Sequence, residues 1–478
     1  MKHRSSSVKI NMLMNALLTL SSIIFPVITL PYVTRVLGAA GVGRVYNAAS
    51  VISLFAVFAE LGIPVYGIRA CAKVRDDRAE LSRTVREIMA VNLAVCAIVY
   101  MVFAAALFTV PAFQNDRLLL VIMSSSMLLN AIGVEWLYKA LEKYVYITVR
   151  SVFFKLVALI AMFLMVRNEN DCIIYGAITV FATFASNIVN FCGVHRYADL
   201  RPSGRHDFKR HIPAMLMLFA LAAATTIYTS LDLAILDLFK GHAEAGMYGV
   251  SVRIKLVLVS LITSVSAVLL PRNSFYFEKK RIDDFYDLLA KTLNMMIAVS
   301  LPVTCYFIMF ARESIMLLAG GEFMGSIRPM QIIMPAVILI GISNIIGMQM
   351  LIPSDREKAV TIAAGAGAVT DLILNLILIP RYASSGAAAA TLAAEVIVLG
   401  FLIYASREDM SLLLKDVNIR QPGSVIAATI VSAAAVSWVK LIHAGPFVRL
   451  AVSAVLFFGI YAIIIVCYWR RNGLLHRD

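Results

Sequence analysis

Charge is what this chain has least of. Asp, Glu, Lys and Arg make up only 15% of its 478 residues, against 60% that are hydrophobic, and mean hydropathy is +0.84. Soluble globular domains hold about a quarter of their residues as charges, so this composition excludes that class. A phosphate loop is missing as well. Gly38–Gly43 has the glycine spacing but neither the lysine nor a preceding strand, which excludes ATP hydrolysis by this chain. The six cysteines (Cys71, Cys96, Cys172, Cys192, Cys305, Cys467) show no CxxC spacing and no histidine partner, so they read as small apolar packing residues. No His/Cys/Asp/Glu cluster has metal spacing, no nucleophile has a nearby base, and no loop on the side away from the N-terminus exceeds roughly twenty residues. These absences leave no cofactor and no soluble catalytic domain, and the chain reads as a non-enzyme.

What is present is a series of fourteen long apolar stretches, each about as long as a helix needs to cross roughly 30 Å of hydrocarbon. Eight carry no charge at all: Ile10–Thr34, Ile88–Asn115, Cys172–Val194, Ile212–Leu231, Thr292–Ala311, Pro329–Ser354, Gln421–Val439 and Leu450–Trp469. Six more, near 41–67, 118–138, 147–166, 246–271, 359–380 and 382–406, each hold one or two charges. A barrel strand alternates apolar and polar residues over about ten positions, so runs of this length predict helices. The expected fold is an all-α polytopic membrane protein of about 14 spans. The first apolar run, about 25 residues long, exceeds a cleavable signal and is expected to stay as the first span.

The net charge of +14 follows topology. Of the 43 Lys and Arg, thirty fall in tails and loops on the N-terminal side and ten on the other, leaving Lys155, Arg253 and Lys255 inside spans. By the positive-inside rule both termini are expected to be cytoplasmic, with the basic excess facing anionic membrane lipids rather than nucleic acid.

A polar, basic stretch from His195 to His206 suits a linker between six-span lobes, giving boundaries of 1–200, 201–406 and an addition of two spans at 407–478. A short repeat supports a parallel pair of lobes. Gly38-x4-Gly43 followed by Tyr46 matches Gly241-x4-Gly246 followed by Tyr248, with a one-residue gap. Pro26, Pro31 and Pro335 lie inside apolar runs and predict kinks, which serve either alternating access or static packing.

Four stretches carry a resemblance. Glu60-Leu-Gly-Ile-Pro64-Val-Tyr66-Gly67-Ile-Arg69-Ala-Cys-Ala72-Lys73-Val-Arg75-Asp76-Asp77 resembles the end of the second span in bacterial Wzx-type oligosaccharide flippases of the MOP superfamily. Phe25–Gly38, Gly133–Glu142 (with Glu135, Trp136 and Tyr138) and Ile379–Thr391 are similar to that family too. The resemblance implies a MATE/MOP-like fold. It also implies a function: moving undecaprenyl-pyrophosphate-linked oligosaccharide units from the cytoplasmic to the outer leaflet of the bacterial inner membrane, for O-antigen or capsule assembly. A polysaccharide polymerase and glycosyltransferases are the implied partners. That family usually has twelve spans, so the count of fourteen keeps lipid II and spore-wall flippases open. A MATE-like cation-coupled drug exporter is a further alternative, and a polytopic glycosyltransferase is disfavoured by the short outward loops.

Ionisable groups inside a membrane face a bundle interior or a cavity, paired or functional. Arg253, Arg35, Lys155 and Lys255 are the candidate cationic cavity for a pyrophosphate, since a guanidinium suits bidentate phosphate contacts. Asp232 and Arg253 lie at similar depth on successive spans, so an ion pair between them is the competing reading. Asp371 and Glu395 are candidates for binding a coupling H+ or Na+, or for pairing with Lys155. Glu60 and Glu135 sit nearer the cytoplasmic ends and favour interface roles. Arg44 joins Arg35 at the outer rim of a cationic path, and Arg69, Lys73 and Arg75 mark its cytoplasmic mouth.

Overall fold

The computed structural model describes residues 8–201, 207–416 and 420–471. Lys2, Arg4 and Arg477, counted above toward cytoplasmic tails, and Pro202–His206 of the basic linker lie outside the described residues. All regular structure among the described residues is helical. Ten helices are long and apolar enough to cross a membrane, or eleven if the pair Gly321–Ile333 and Ala336–Leu351, bent by 44°, forms one span. The count of fourteen does not appear as fourteen separate long helices. One 17-residue apolar helix, Arg117–Gly133, is short, and two helices of 53 and 49 residues contain a non-helical residue, Gly38 and Ala383. At 1.5 Å per residue each is more than twice the length that hydrocarbon requires. At Ala383 the chain folds back: a Cβ on Gly386 would lie 2.5 Å from the carbonyl oxygen of Leu378, which a straight helix would hold about 12 Å away.

The chain forms two compact units, Met1–Gly246 and Met247–Asp478. The first contains α1 (Val8–Glu60), α2 (Ile63–Lys73), α3 (Arg78–Thr109), α4 (Arg117–Gly133), α5 (Glu135–Ala140), α6 (Tyr144–Met165), α7 (Cys172–Phe184), α8 (Ser186–Gly193), α9 (Ile212–Lys240) and the start of α10 (His242–Glu278). Helix α1 is the spine of this unit, packing on α3, α4, α6, α7 and α9. The two motifs that carried the resemblance meet here. Gly67 of α2 lies so close under the Trp136 ring of α5 that a Cβ would come within 2.6 Å of it, and Trp136 belongs to a core with Ile63, Val85, Ile88 and Leu137.

The short repeat takes the same backbone form twice. Gly38 and Gly241 have φ of 66° and 83° with ψ near 180°, values open to glycine but strained for residues with a Cβ. Five residues beyond each break, Gly43 and Gly246 face each other: a Cβ on Gly43 would lie 1.7 Å from the His242 carbonyl oxygen, and one on Gly246 2.1 Å from that of Ala39.

The second unit continues α10 and adds α11 (Ile282–Met309), α12 (Ala311–Leu318), α13 (Ile327–Ile333), α14 (Ala336–Asn344), α15 (Glu357–Ala405), α16 (Arg407–Asp416), α17 (Arg420–Val436) and α18 (Pro446–Arg471). Pro335 falls in the break between α13 and α14, and a π-helical stretch, Ile345–Leu351, follows. Helices α17 and α18 pack on each other and on α11 around Tyr306, Phe310 and Phe457, with Tyr306 Oη 3.0 Å from Ser453 Oγ. Cysteines are only partly the packing residues expected: Cys71, Cys96 and Cys172 are buried, but Cys192 and Cys467 are exposed.

Gly43→Ala is expected to cost at least about 3 kcal/mol, because backbone rather than a flexible side chain occupies the space. Thermal unfolding of the detergent-purified protein measures this, with Gly400→Ala, which meets nothing within 4 Å, as the neutral control. Equal Tm values for the two variants would refute the contact.

Candidate functional site

In the first unit, buried carboxylates gather basic groups at both ends of α3. At its start Glu87 is fully buried and both oxygens are saturated. Oε1 accepts from Arg83 Nε (3.0 Å) and the Asp207 N–H (2.8 Å), while Oε2 accepts from Arg210 Nε (2.9 Å) and lies 2.8 Å from His211 Nε2. With that nitrogen donating, His211 Nδ1 accepts from the Tyr66 hydroxyl at 2.6 Å. One carboxylate thereby ties α2 and α3 to the start of α9. Beyond the other end of α3, Asp116 accepts from Arg44 Nε at 2.6 Å and lies 3.6 Å from His242 Nε2. His242 Nδ1 in turn is 2.6 Å from Asp237, whose other oxygen accepts from Asn47 at 2.6 Å. Arg44 is therefore an ion-pair partner of Asp116.

Between these ends lie two cavities that share Glu60. One, of about 320 Å³, is walled by Ser53, Glu60, Ser126, Thr179, Thr183 and Thr226 among apolar neighbours. The other, of about 230 Å³, adds Asn92, Asn130, Glu135 and Lys139. Asn130 Nδ2 donates to Glu60, and Lys139 holds Glu135 at 2.8 Å. Glu60 is thus lined up on internal space, where the sequence pointed to an interface role.

The remaining candidates separate by position. Arg35 is exposed on α1, one turn from Pro31, whose carbonyl it donates to at 2.5 Å. Lys155 Nζ donates to Ser21 and Ser22 at 3.0 and 2.7 Å, so its partners are hydroxyls of α1 rather than a carboxylate. Asp232 is buried and accepts the Leu233 N–H. Arg69, Lys73 and Arg75 are all exposed near the α2 end, and Arg75 is 2.8 Å from Glu142. The Glu142 carboxylate pushes the Arg75 guanidinium further above its ordinary value.

In the second unit Arg253 is half-exposed on α10, and Lys255 is buried two residues on. Glu395 of α15 is also buried, within electrostatic reach of Lys255. A turn earlier on α15, Thr391 Oγ1 is 2.9 Å from the Tyr248 hydroxyl of α10. Asp371 is fully buried and accepts from Asn375 at 2.8 Å. Sequence position suggested depth for these groups but not neighbours, so Glu395 was open to Lys155 when its basic neighbour is Lys255. Glu87 was missed because it is the last charge before Ile88 and read as part of a basic loop. Asn130 and Asn375 were missed because neutral polar residues raise no alarm in a hydropathy count.

A family model described as polysaccharide biosynthesis protein matches residues 8–277. A "Putative O-antigen transporter" of Escherichia coli (strain K12) is 20% identical over 409 residues, covering 85% of this chain and 98% of that protein. Among solved structures, lipid II flippase MurJ in an inward closed conformation is similar with a TM-score of 0.75 at 14% identity, over 97% of this chain and 99% of that one. An inward-facing MATE family multidrug resistance transporter of the MOP superfamily gives 0.57 at 11% identity, over 82% and 99%. At such identities the structural likeness establishes the fold.

Two outcomes are expected. Glu87→Ala should lose about 1–3 kcal/mol, since buried His211 and the Asp207 N–H lose their acceptor while Arg83 and Arg210 keep Glu80, whereas Glu80→Ala, at a half-exposed site, should lose under about 1 kcal/mol; unfolding midpoints of the two variants decide. Lys255→Met and Glu395→Gln should show a coupling of at least about 0.5 kcal/mol in a double-mutant cycle. Simple additivity in that cycle would show that the two groups do not interact.

Proposed function

Because the chain belongs to the polysaccharide biosynthesis protein family, we propose that it carries lipid-linked oligosaccharide repeat units across a membrane for surface polysaccharide assembly. The observation that supports this reading most is the family match over more than half of the chain, in a multi-pass helical protein with cavities that hold Glu60 among apolar residues. The cargo is an undecaprenyl-pyrophosphate-linked unit, taken from the cytoplasmic leaflet of a bacterial inner membrane to the outer leaflet, and both termini are cytoplasmic. A polymerase and glycosyltransferases supply and consume it.

A pyrophosphate is best met by planar guanidinium donors. Arg35 and Arg253, the two arginines among the candidate cavity residues, are the residues for this role, since Arg35 is exposed on α1 and Arg253 is half-exposed on α10. Lys155 in the first unit and Lys255 in the second add positive potential, and Arg69, Lys73 and Arg75 draw the headgroup toward the mouth. Glu60, with both cavities against it, is the site for a coupling H+ or Na+, and Asp232, Asp371 and Glu395 are secondary candidates. The similarity to a lipid II flippase over 97% of the chain favours one second reading, a peptidoglycan precursor as cargo in the same path.

In a deletion strain, Arg35→Ala and Arg253→Ala are each expected to cut surface polysaccharide at least tenfold, about 1.4 kcal/mol of lost interaction, with lipid-linked repeat units accumulating inside. Unchanged polysaccharide in both would remove the cationic path, and rescue of cells depleted of their lipid II flippase would establish the second reading.

A further inference from the structure

The first unit holds a cation that the transport reading does not use. Arg150 lies on α6 six residues beyond its start, about 9 Å along the axis. It is 7% exposed, and among the described residues none of its three guanidinium nitrogens has a hydrogen-bond acceptor. Its neighbours offer little. The Tyr146 ring centroid is 5.4 Å from the guanidinium carbon, and the stacked Tyr138 gives its hydroxyl to the Asn190 carbonyl. Glu135, whose charge reaches Arg150, is already 2.8 Å from Lys139. The part of α1 that packs on α6 through Thr148 and the Met14 carbonyl supplies no acid, because the first acidic residue in the sequence is Glu60, at the far end of α1. Burying five N–H donors without an acceptor is a cost that native chains avoid. An arrangement that keeps them there calls for an acceptor from outside the protein.

The surroundings indicate its chemistry. Arg150 lines an open cavity of about 620 Å³ together with Lys143, Val145, Tyr146, Val149 and Phe153. Glu142 also reaches this cavity, but Arg75 holds it at 2.8 Å. From the cavity an exposed apolar stripe runs along α6 through Val149, Phe153, Leu156, Ile160 and Leu164, each at least 55% exposed. These positions recur every three or four residues on one face and extend about 22 Å, more than the roughly 15 Å depth of one leaflet. A buried base at the head of a leaflet-length apolar stripe fits a molecule with an anionic head and hydrocarbon chains.

We propose that Arg150, with Lys143 at the rim, binds the phosphodiester headgroup of an anionic diacyl phospholipid whose chains lie along this stripe. The guanidinium donates to the phosphate oxygens, and the Tyr146 ring keeps its other face covered.

Native mass spectrometry of the full chain in mild detergent tests this, with phosphatidylglycerol, phosphatidylcholine, undecaprenyl monophosphate and inorganic phosphate as probes. Phosphatidylglycerol should be retained at least tenfold better than phosphatidylcholine, and Arg150→Gln should abolish that preference while Arg150→Lys keeps part of it. If Arg150→Gln fails to fold, Lys143→Gln, at the rim, should still weaken phosphatidylglycerol binding severalfold. Equal binding of the two phospholipids, or an undiminished preference in the variants, would overturn the site. Displacement by inorganic phosphate alone would make it a free-anion site, and tighter binding of undecaprenyl monophosphate would assign it to a carrier lipid; either also overturns the proposal.

Discussion

In hydrocarbon a backbone N–H or C=O has no water to fall back on, so a chain of this composition must close its hydrogen bonds within helices and shelter every place where a helix stops. The breaks in the first unit show how that is done. Where α1 ends and α2 begins, Gly62 lies against the backbone of α9, with a built Cβ falling 2.6 Å from both the Met215 oxygen and the Phe219 nitrogen. Past the break at Gly38, Gly41 approaches the Glu169 carbonyl, and Gly43 and Gly246 bring two backbones together without intervening side chains. Small residues at such points let neighbouring helices stand in for solvent, which is why α1 can be interrupted and still span.

Buried charge obeys the same constraint, and the result is a division of labour within each unit. Glu87 in the first unit answers four groups, and in the second Asp409 accepts from Tyr286 at 2.8 Å and from Arg356 at 2.7 Å, pinning α11, the start of α15 and α16. Asp116 and Asp409 sit at helix starts, and Glu87, ten residues into α3, reaches the loop before α9, so each fastens a chain connection. The interior of the first unit instead holds Glu60 with a neutral amide partner and open volume beside it. Fastened ends with a loosely satisfied middle suit a protein whose work is done between the leaflets.

Much of this was legible in the sequence because hydropathy and glycine spacing report on constraints that act along the chain. The long apolar runs gave helices, the repeated Gly-x4-Gly gave matching breaks at Gly38 and Gly241, and the Gly67 and Trp136 stretches that carried the resemblance turned out to pack on each other. What stayed hidden depends on which way a side chain points around its helix. Arg150 was counted with the basic loops, yet its guanidinium is turned inward. Lys155 and Glu395 had plausible depths for pairing, but their neighbours are Ser21, Ser22 and Lys255. A one-dimensional pattern fixes depth, and only packing fixes azimuth. The separate long helices fell short of fourteen for a related reason: a single non-helical residue reverses α15 without any polar loop to separate two runs.

The tie between Lys155 and α1 bears on where motion can enter. Pro26 cannot donate to the Ser22 carbonyl four residues earlier, so the turn containing Ser21 and Ser22 is already short of one backbone hydrogen bond. Lys155 braces that turn from α6 through two neutral hydroxyls, and the Ser22 hydroxyl is itself bonded back to the Leu18 carbonyl. Hydrogen bonds of an ammonium to hydroxyls are worth about 1.5–3 kcal/mol each, and a phosphate or water reaching Lys155 replaces them without leaving a buried carboxylate behind. Opening Glu87 or Asp116 leaves precisely such a charge stranded, at about 3–5 kcal/mol. If α1 bends, the proline-weakened turn under Lys155 therefore yields before either end does, and an anion is the kind of ligand that would release it.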